Sequence, residues 1–429
     1  MPQPESLQIA PLWSLPEKII FRFVFIFFGL FIFPFPIGNI PHADQLFGWY
    51  YEIWNWLVVN TGKYILHFSN EITIQPNGSG DTTWNYVQMF IILIGATVGC
   101  LLWSVLDRKR NNYARLFYWF TAAVRYYLAF TLIAYGSFKV FKSQFPAPGI
   151  YRLTETYGES SPMGLAWTFL GFSKAYNYFM GFAEIAGGLL LFFRKSATFG
   201  ALFCMTVTLN ILMINYCFDV PVKIFSTMLF LMSVYIAAPD AKRLLKFFLF
   251  NFTSRLKPTG LHFTTKWKII TILCCKYIFI LYSLYTLTSQ AIQGMRQYGD
   301  NMPKPKLYGY YRVDTFVKNK DTIPPLLTDT SRWSSITVTE YMYCAVKKMN
   351  DSVSYYSYQA DSTYHQLTLT ERDSGLKHSF SYQILHNQLE LKSNDGFEIS
   401  YMKLTKMNAE DFLLIKRGFH WINEYPLNR

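Results

Sequence analysis

Long apolar runs constrain the fold of this chain more than any other feature of its sequence. Seven of them are each about as long as the roughly 20 helical residues that cross the hydrocarbon core of a bilayer. Backbone groups inside lipid have to be hydrogen-bonded within their own segment, so each run is expected to be helical. We therefore predict an α-helical polytopic membrane bundle of about seven transmembrane helices. The runs cover residues 19–38, 84–106, 115–142, 166–193, 197–215, 221–238 and 267–288.

An aromatic stretch, residues 47–68, lies between the first two runs and is interrupted by Glu52, Asn55 and Lys63. Tryptophan and tyrosine, which dominate it, concentrate where a membrane meets water. This density favours a helix lying in the headgroup region. An eighth transmembrane helix is the alternative.

Basic residues between the runs predict how the chain is oriented. Loops on the cytoplasmic side carry an excess of lysine and arginine. The basic segments are 107–115, 194–195 and 241–268, and seven spans place all three on one side together with the N-terminus. We therefore predict a multi-pass protein of the cytoplasmic (inner) membrane, with a cytoplasmic N-terminus and a periplasmic or extracellular C-terminal domain. Eight spans would move only the N-terminus outward.

The net charge of +13 at pH 7 is unevenly divided along the chain. From Lys306 onward there are 15 basic and 14 acidic residues, which leaves 25 basic and 13 acidic residues in the part with the apolar runs. Positive charge in short loops between membrane helices is typical of orientation in a bilayer. The lipid bilayer is therefore a predicted partner, and nucleic acid is not.

After a linker at 303–306 the sequence changes to short runs rich in Tyr, Val, Ile, Thr and Ser, separated by turn signals such as Asn394-Asp395-Gly396. Short strands at near-regular spacing predict a C-terminal antiparallel all-β domain, either a small barrel or a sandwich. The predicted strands are 308–316, 335–339, 352–359, 364–370, 378–384, 388–391, 397–404 and 412–416.

Four regions follow from these patterns. They are an N-terminal transmembrane pair with the aromatic segment (1–114), a four-helix bundle (115–238), a cytoplasmic basic amphipathic segment with the last transmembrane helix (239–302), and the extracytoplasmic β domain (303–429).

Three charged residues within the predicted membrane helices are the candidates for catalysis. Arg125 and Lys139 are 14 residues apart, which is close to four helical turns, so they share one face of a helix. A charge in hydrocarbon costs roughly 2.5–3.5 kcal/mol, so such residues usually serve a site. Glu184 lies among small residues and is predicted to relay protons or to hydrogen-bond a polar ligand. The alternative is a structural role, either a pair with Arg125 or a packing hydrogen bond.

A second set of polar residues is predicted at the outer membrane face. Together with Lys139 they would form a pocket for a quinone-like or lipid-like molecule. The alternative is that Asp219 and Lys223, on either side of a proline, simply cap a helix and pair. The ligand-binding candidates are Arg152, Tyr157, Asn215, Asp219 and Lys223.

The C-terminal segment 417–429 is dense in side chains that recognise partners. We predict that it binds a periplasmic protein. The alternative is that the segment closes the β domain and docks it on the membrane. The partner-binding candidates are Arg417, His420, Trp421, Glu424 and Tyr425.

Motifs for several chemistries are absent from the sequence. All seven histidines lie outside the apolar runs, which excludes a bis-His haem inside the bundle. There is no P-loop, no GxGxxG after a strand, no HExxH and no GxSxG. The six cysteines form no CxxC, so neither a metal site nor a disulfide framework is predicted.

Three features occur close together within residues 115–238: Arg125, Gly136 followed by Lys139, and Glu184 followed by Gly187 and Gly188. On these residues, the region resembles the DoxX-like family of small four-helix membrane proteins. The whole layout, with extra N-terminal helices and a C-terminal β domain, is similar to the long members of that family in Bacteroidota. Some relatives act as quinone-reducing subunits of thiosulfate oxidation, and others are linked to redox balance or to the maturation of other proteins. The resemblance therefore implies a quinone as a cofactor.

Two hypotheses of different classes follow. In the first, the bundle binds a quinone or another lipid-soluble redox molecule in an oxidoreductase of the cell envelope. Lys139 and Arg125 supply hydrogen bonds or charge, Glu184 handles protons, and the β domain receives a periplasmic partner or substrate. In the second, the protein is not an enzyme, and the helices anchor a binding or assembly module. A transporter is less favoured, because the runs show no inverted repeat.

Overall fold

The computed structural model describes residues 12–39, 46–74, 76–252 and 266–428. The chain divides into two compact units. The first, called the helical unit, consists of Met1–Phe141 and Ala175–Ile292, and the second, called the barrel unit, consists of Lys142–Lys174 and Gln293–Arg429. This division groups residues 142–174 with the β domain, whereas the sequence placed them within 115–238.

The chain is helical up to the β domain. In chain order the helices are α1 (Leu15–Ile32), α2 (Gly48–Asn60), α3 (Thr83–Leu106), α4 (Ala114–Val140), α5 (Ile150–Thr154), α6 (Pro162–Phe172), α7 (Lys174–Phe192), α8 (Ala197–Cys217), α9 (Lys223–Ala237), α10 (Ala241–Phe250) and α11 (Lys266–Gln297). A short π-helical turn, Thr61–Ile65, extends α2.

Five helical stretches in the described part of the chain are long and apolar enough to cross a membrane, which is fewer than the seven predicted. Two predicted spans are missing from this set. The first run forms α1, an 18-residue helix that includes Glu17, Lys18 and Arg22. The fourth run is divided at Ser173 into α6 and α7. The five are Thr83–Leu106, Ala114–Val140, Ala197–Cys217, Lys223–Phe250 and Ile269–Gln297.

Helix α4 lies in the main core of the helical unit. Its residues Val124, Leu128 and Leu132 are buried, and their spacing of four residues puts them on one face of the helix. They cluster with Leu191 of α7 and Met232 of α9. Since lipid is as apolar as these side chains, close packing rather than water exclusion holds membrane helices together.

Helices α4 and α7 cross with their backbones in contact. A Cβ atom built on Gly136 would lie 2.6 Å from the carbonyl oxygen of Gly181, and one on Gly181 would lie equally close to the carbonyl oxygen of Gly136. A Cβ on Gly188 would lie 2.7 Å from the carbonyl oxygen of Ala129. Small residues therefore allow this crossing, as they do in many membrane helix pairs.

Arg22 of α1 forms hydrogen bonds to the end of α3 and to Tyr113, the residue before α4. Its guanidinium donates to the Tyr113 hydroxyl at 3.0 and 2.8 Å, to the Ser104 hydroxyl at 2.9 Å and to the Asp107 carbonyl at 3.0 Å. Tyr113 in turn donates to the Asp107 carboxylate at 2.8 Å. A buried cation is tolerated because it is hydrogen-bonded in this way.

The β domain is a barrel rather than a sandwich. Its strands run antiparallel in the order β2-β1-β3-β4-β5-β6-β7-β8-β9, and β1 also pairs with β9, which closes an eight-stranded barrel with β2 as a short addition to β1. The strands are β1 (Gly309–Lys318), β2 (Asp321–Thr322), β3 (Trp333–Val338), β4 (Tyr343–Lys348), β5 (Val353–Asp361), β6 (Gln366–Glu371), β7 (Lys377–Leu385), β8 (Gln388–Ser393) and β9 (Ile399–Met407).

The strand prediction differs from the structure at three places. The two-residue strand β2 was not predicted. Strand β4 was not predicted either, although a tight turn directly after β3 returns the chain as Tyr343-Cys344-Ala345-Val346. The predicted strand 412–416 is wrong, because Leu413–Lys416 forms the short helix α12. The barrel is closed without this segment, because β9 forms backbone hydrogen bonds with β1.

The barrel interior is filled. Inward-facing residues such as Phe316, Phe380 and Leu404 are fully buried. The buried Arg332 donates to the carbonyl of Ile323 at 3.1 Å and, less closely, to other main-chain carbonyls. Just before it, the backbone amides of Ser331 and Arg332 donate to Asp329 and hold the pKa of that carboxyl below its usual value.

Replacing Gly136 with alanine is expected to destabilise the helical unit. The added methyl group would overlap the backbone of α7, and overpacking of this kind costs about 1–3 kcal/mol. Gly29→Ala is the matched control, because a Cβ at this helical glycine meets nothing within 4 Å. Thermal unfolding in detergent should show a lower midpoint for Gly136→Ala alone. Equal midpoints would contradict the close crossing.

Candidate functional sites

A buried ion pair joins α4 to α7. The Lys139 ammonium lies 2.8 Å from Oε1 and 3.0 Å from Oε2 of Glu184. The two residues are 5% and 2% exposed, so the pair is shielded from solvent. The ammonium also lies 5.7 Å from the centre of the Tyr135 ring. The pair sits beside the glycine crossing, where the Cβ of Glu184 is 3.1 Å from a Cβ built on Gly136.

The predicted pairing of Glu184 with Arg125 is therefore wrong. Lys139 is less than one turn from Gly136, whereas Arg125 is three turns away along α4. Because α7 crosses α4 at Gly136, its carboxylate reaches the lysine. The sequence assigned all three charged residues to predicted membrane helices. It did not show where α7 crosses α4, and this crossing point decides which cation lies near Glu184.

Arg125 belongs instead to a basic cluster. Its Nε is buried without a hydrogen-bond partner among the described residues, and its guanidinium lies 5.9 Å from the centre of the Tyr126 ring. Arg194 and Lys276 are near enough to act on Arg125 electrostatically. Lys276 donates to the Phe192 carbonyl at 2.8 Å. The cluster thus combines α4, α11 and the turn after α7.

Asp219 and Lys223 pair with each other at the start of α9. The Lys223 ammonium is 2.8 Å from the Asp219 carboxylate, whose side chain is 83% exposed. Asp81, which the sequence analysis did not single out, accepts the Lys223 and Ile224 amides at 2.7 and 3.0 Å and so caps this helix. Asn215 accepts the Val220 amide through its carbonyl at 2.9 Å. The pairing of Asp219 with Lys223 matches the alternative stated from the sequence, but the cap comes from Asp81 instead of Asp219.

The other two ligand-binding candidates belong to the barrel unit. Arg152 bonds to the Glu155 carboxylate and donates to the Thr168 hydroxyl at 2.7 Å. Tyr157 is 79% exposed. The hydroxyl groups of neighbouring Tyr151 and Tyr355 are hydrogen-bonded at 2.8 Å. Burial, followed by this hydrogen bond, raises the pKa of Tyr151. Arg152 and Tyr157 are thus in a different unit from Asn215, Asp219 and Lys223.

The C-terminal segment, residues 417–428, presents large side chains to solvent. Its own polar contacts order it: Arg417 bonds to His420 and Asn423, and the Asn423 amide donates to the His420 carbonyl at 3.1 Å. Glu424 is exposed. The exposed fractions are 78% for Phe419, 91% for Trp421, 78% for Ile422 and 86% for Tyr425.

The barrel unit contains a cavity that the sequence analysis missed. It has a volume of about 250 Å³ and is lined by the chain near Pro146, by the linker before β1 and by the turn at Glu340. Burial, followed by the nearby charge of Glu340, raises the pKa of Tyr308 and Tyr341. The available sequence signal was a carboxylate next to a Tyr-Met-Tyr segment.

Among the residues that the structure describes, no three His, Cys, Asp or Glu side chains come together as a metal site. The five apolar helices and the closed barrel define the class: a helical membrane protein that carries an antiparallel β-barrel.

Comparison with known proteins gives a relative that matches part of the chain. Over 129 residues, 30% of this chain and 80% of the relative, the sequence is 36% identical to YwoB of Bacillus subtilis (strain 168), which is described as an uncharacterized protein. Over that region the chain belongs to the family of YwoB. No protein-family model and no solved structure matches the chain.

Removing either partner of the Lys139–Glu184 pair is expected to destabilise the protein more than removing both. A single Lys139→Met or Glu184→Met change leaves a buried charge without its counter-ion, which typically costs about 3–5 kcal/mol. The double variant leaves neither charge behind. Thermal unfolding of the three variants in detergent forms a double-mutant cycle.

The matched control for this cycle is Asp219→Asn, which breaks an exposed pair worth about 0–1 kcal/mol. Additive single effects at Lys139 and Glu184 would show that the pair does not couple the two helices.

Proposed function

We propose that the protein crosses the membrane seven times, by the five apolar stretches together with α1 and α7. Two segments that hydrogen-bond to each other outside the lipid lie on the same side, so an even number of spans separates them. Gly80 donates to the Pro221 carbonyl at 2.8 Å, and α3, α4, α7 and α8 lie between these residues. The count is even only when α7 spans.

A second contact supports a spanning α1 and an interfacial α2. Trp13 donates to the Asn111 carbonyl at 3.1 Å, with α1, α2 and α3 between them. Helix α1 also passes from Tyr113, at the start of α4, to Phe225, near the start of α9, whose ring centre is 6.4 Å from that of Phe31. Lys142–Lys174 and the β domain belong to the same unit, so they lie on the same side of the membrane in this proposal. The number of spans between them is then even, which agrees with the four helices α7, α8, α9 and α11.

The charges in these two helices favour the same topology. Arg22 is surrounded by hydrogen-bond acceptors and Glu184 is paired with Lys139, so the cost of placing them in lipid is reduced. With seven spans the basic loops lie in the cytoplasm with the N-terminus. The barrel unit then lies outside the cytoplasmic membrane.

The function that the geometry supports best is a membrane-anchored binding module. The observation that carries it is the C-terminal segment 417–428, where four large apolar or aromatic side chains are at least 78% exposed. Exposed apolar clusters mark interaction sites, and tryptophan, tyrosine and arginine are the residues enriched at binding hot spots. Internal bonds from Arg417 order the segment in advance. Its partner in this proposal is a protein of the cell envelope with an apolar groove.

A photo-reactive amino acid at Trp421 should form a discrete cross-link to one envelope protein in intact cells. A synthetic peptide of residues 417–429 is expected to abolish it by competition, because the segment carries the contact. The control places the same amino acid at Tyr364, an exposed residue, 75% accessible, in the same unit. Cross-links to lipid or to a second copy of this chain, or equal cross-linking from Tyr364, would contradict the proposal.

A quinone-linked role in the helical unit is the second candidate. The observation that favours it is the buried Lys139–Glu184 pair, since ionisable groups at membrane depth usually serve a site. In this proposal α4, α7, α8 and α9 form a DoxX-like bundle, Glu184 handles protons and Arg125 supplies charge. The binding module is preferred because the pair already satisfies both groups at a tight helix crossing.

Titration of the purified protein with a short-chain ubiquinone or menaquinone tests the second candidate. Binding should be weakened about tenfold by Glu184→Gln, which corresponds to the loss of one good polar contact, and unchanged by Asp219→Asn. Absence of binding by any quinone to the folded wild-type protein would reject the role.

A further inference from the structure

The cavity of about 250 Å³ in the barrel unit has no role in the functions above. Three segments line it: the chain from Pro146 to Gly149, the linker that contains Tyr298 and Tyr308, and the turn at Glu340. Its volume suits a small molecule or one end of a larger one, since a water molecule occupies about 30 Å³ of liquid. Its walls show which chemistry would be held there.

Glu340 lines the cavity, and in the described part of the chain one of its two carboxylate oxygens lacks a hydrogen bond. Oε2 of Glu340 is buried without a partner among the described residues. The carboxylate packs against Gly149, where an added Cβ would lie 2.4 Å from Oε1. A buried anionic oxygen without a donor is unfavourable. A ligand with N–H donors and a positive charge would satisfy it.

Asp300, the other carboxylate that lines the cavity, already has bonding partners within the protein. Its carboxylate lies 2.9 Å from the Lys142 ammonium and accepts the Ala147 amide at 2.7 Å. These contacts hold the chain near Pro146 against the linker. Glu340 is therefore the carboxylate of the cavity that is left to meet a ligand.

Aromatic side chains also line the cavity. Tyr298, Tyr308 and Tyr341 line it, and the face of an aromatic ring attracts cations. The ammonium of Lys304 lies 4.5 Å from the centre of the Tyr308 ring, so this ring already contacts one cation. Lys304 itself is exposed on the cavity rim, where its charge opposes the entry of a second cation.

We propose that this cavity binds a primary ammonium group, with Glu340 accepting its N–H bonds and the tyrosine rings contacting its charge. A quaternary ammonium fits less well, because it has no N–H to give to the buried oxygen. The group can belong to a free small amine or to an ethanolamine lipid headgroup. The inference is independent of the partner of the C-terminal segment.

Isothermal titration of the full-length protein in a zwitterionic detergent with ethanolamine tests the proposal. Ethylene glycol is the uncharged control and tetramethylammonium is the cation without N–H donors. Ethanolamine should bind at least about tenfold more tightly than either, a ratio that corresponds to about one charged hydrogen bond. A second arm compares nanodiscs with phosphatidylethanolamine and with phosphatidylcholine, and weakened ethanolamine binding only in the former identifies the lipid headgroup as the source.

Two substitutions should change the affinity in opposite directions. Glu340→Gln is expected to weaken ethanolamine binding at least about tenfold, and Lys304→Gln to strengthen it about twofold or more, because a nearby positive charge is removed. Glu410→Gln, at an exposed carboxylate of the same unit, should leave it unchanged. Lys304→Gln alters only a surface residue, so it provides a test even if Glu340→Gln fails to fold.

Several results would overturn the proposal. They are no ethanolamine binding at millimolar concentration, equal binding of tetramethylammonium or sodium, and wild-type affinity in Glu340→Gln or Lys304→Gln. Glu340→Gln should also leave the cross-link from Trp421 unchanged, so failure of this proposal and failure of the binding-module proposal are distinguishable.

Discussion

The structure of the helical unit depends on one constraint: a fully buried charge within an apolar helix requires a partner. Arg22 finds hydrogen-bond acceptors on Tyr113 and Ser104, and Glu184 finds the ammonium of Lys139. Each partner lies on a different helix or loop, so satisfying the charge also joins two segments. The glycines at the α4–α7 crossing allow the Glu184 side chain to approach closely enough.

In the barrel unit, the main constraint is that the edges of the sheet have to be paired. An open sheet leaves unpaired backbone groups on its first and last strands. Pairing of β1 with β9 removes both edges, and the interior is filled by side chains such as Phe380 and Leu404. The polar groups of this unit that are available to a ligand or partner therefore lie in the segments outside the barrel interior. These are the segment before Gly149, the turn at Glu340 and the C-terminal segment.

Much of this organisation was predictable because it depends on local pattern. Apolar length predicted α3, α4, α8, α9 and α11, and alternating short runs predicted an antiparallel domain. Helix α7 was harder, since Asn177 and Glu184 lower its mean hydropathy and Ser173 separates it from α6. The choice of barrel over sandwich depended on the pairing of β1 with β9, which are far apart in the sequence. Strand β4 pairs locally with β3 and β5, so its omission was an error in reading the local pattern.

The sequence by itself determined the two-part architecture, the apolar helices and the residue types available for chemistry, because these follow from composition and spacing. Only the tertiary structure decided which charges meet. It paired Glu184 with Lys139, left Arg125 beside Arg194 and Lys276, and left a carboxylate oxygen of Glu340 without a partner. The reason is physical: an ion pair depends on distances of a few ångströms, and helix crossings and turns set those distances.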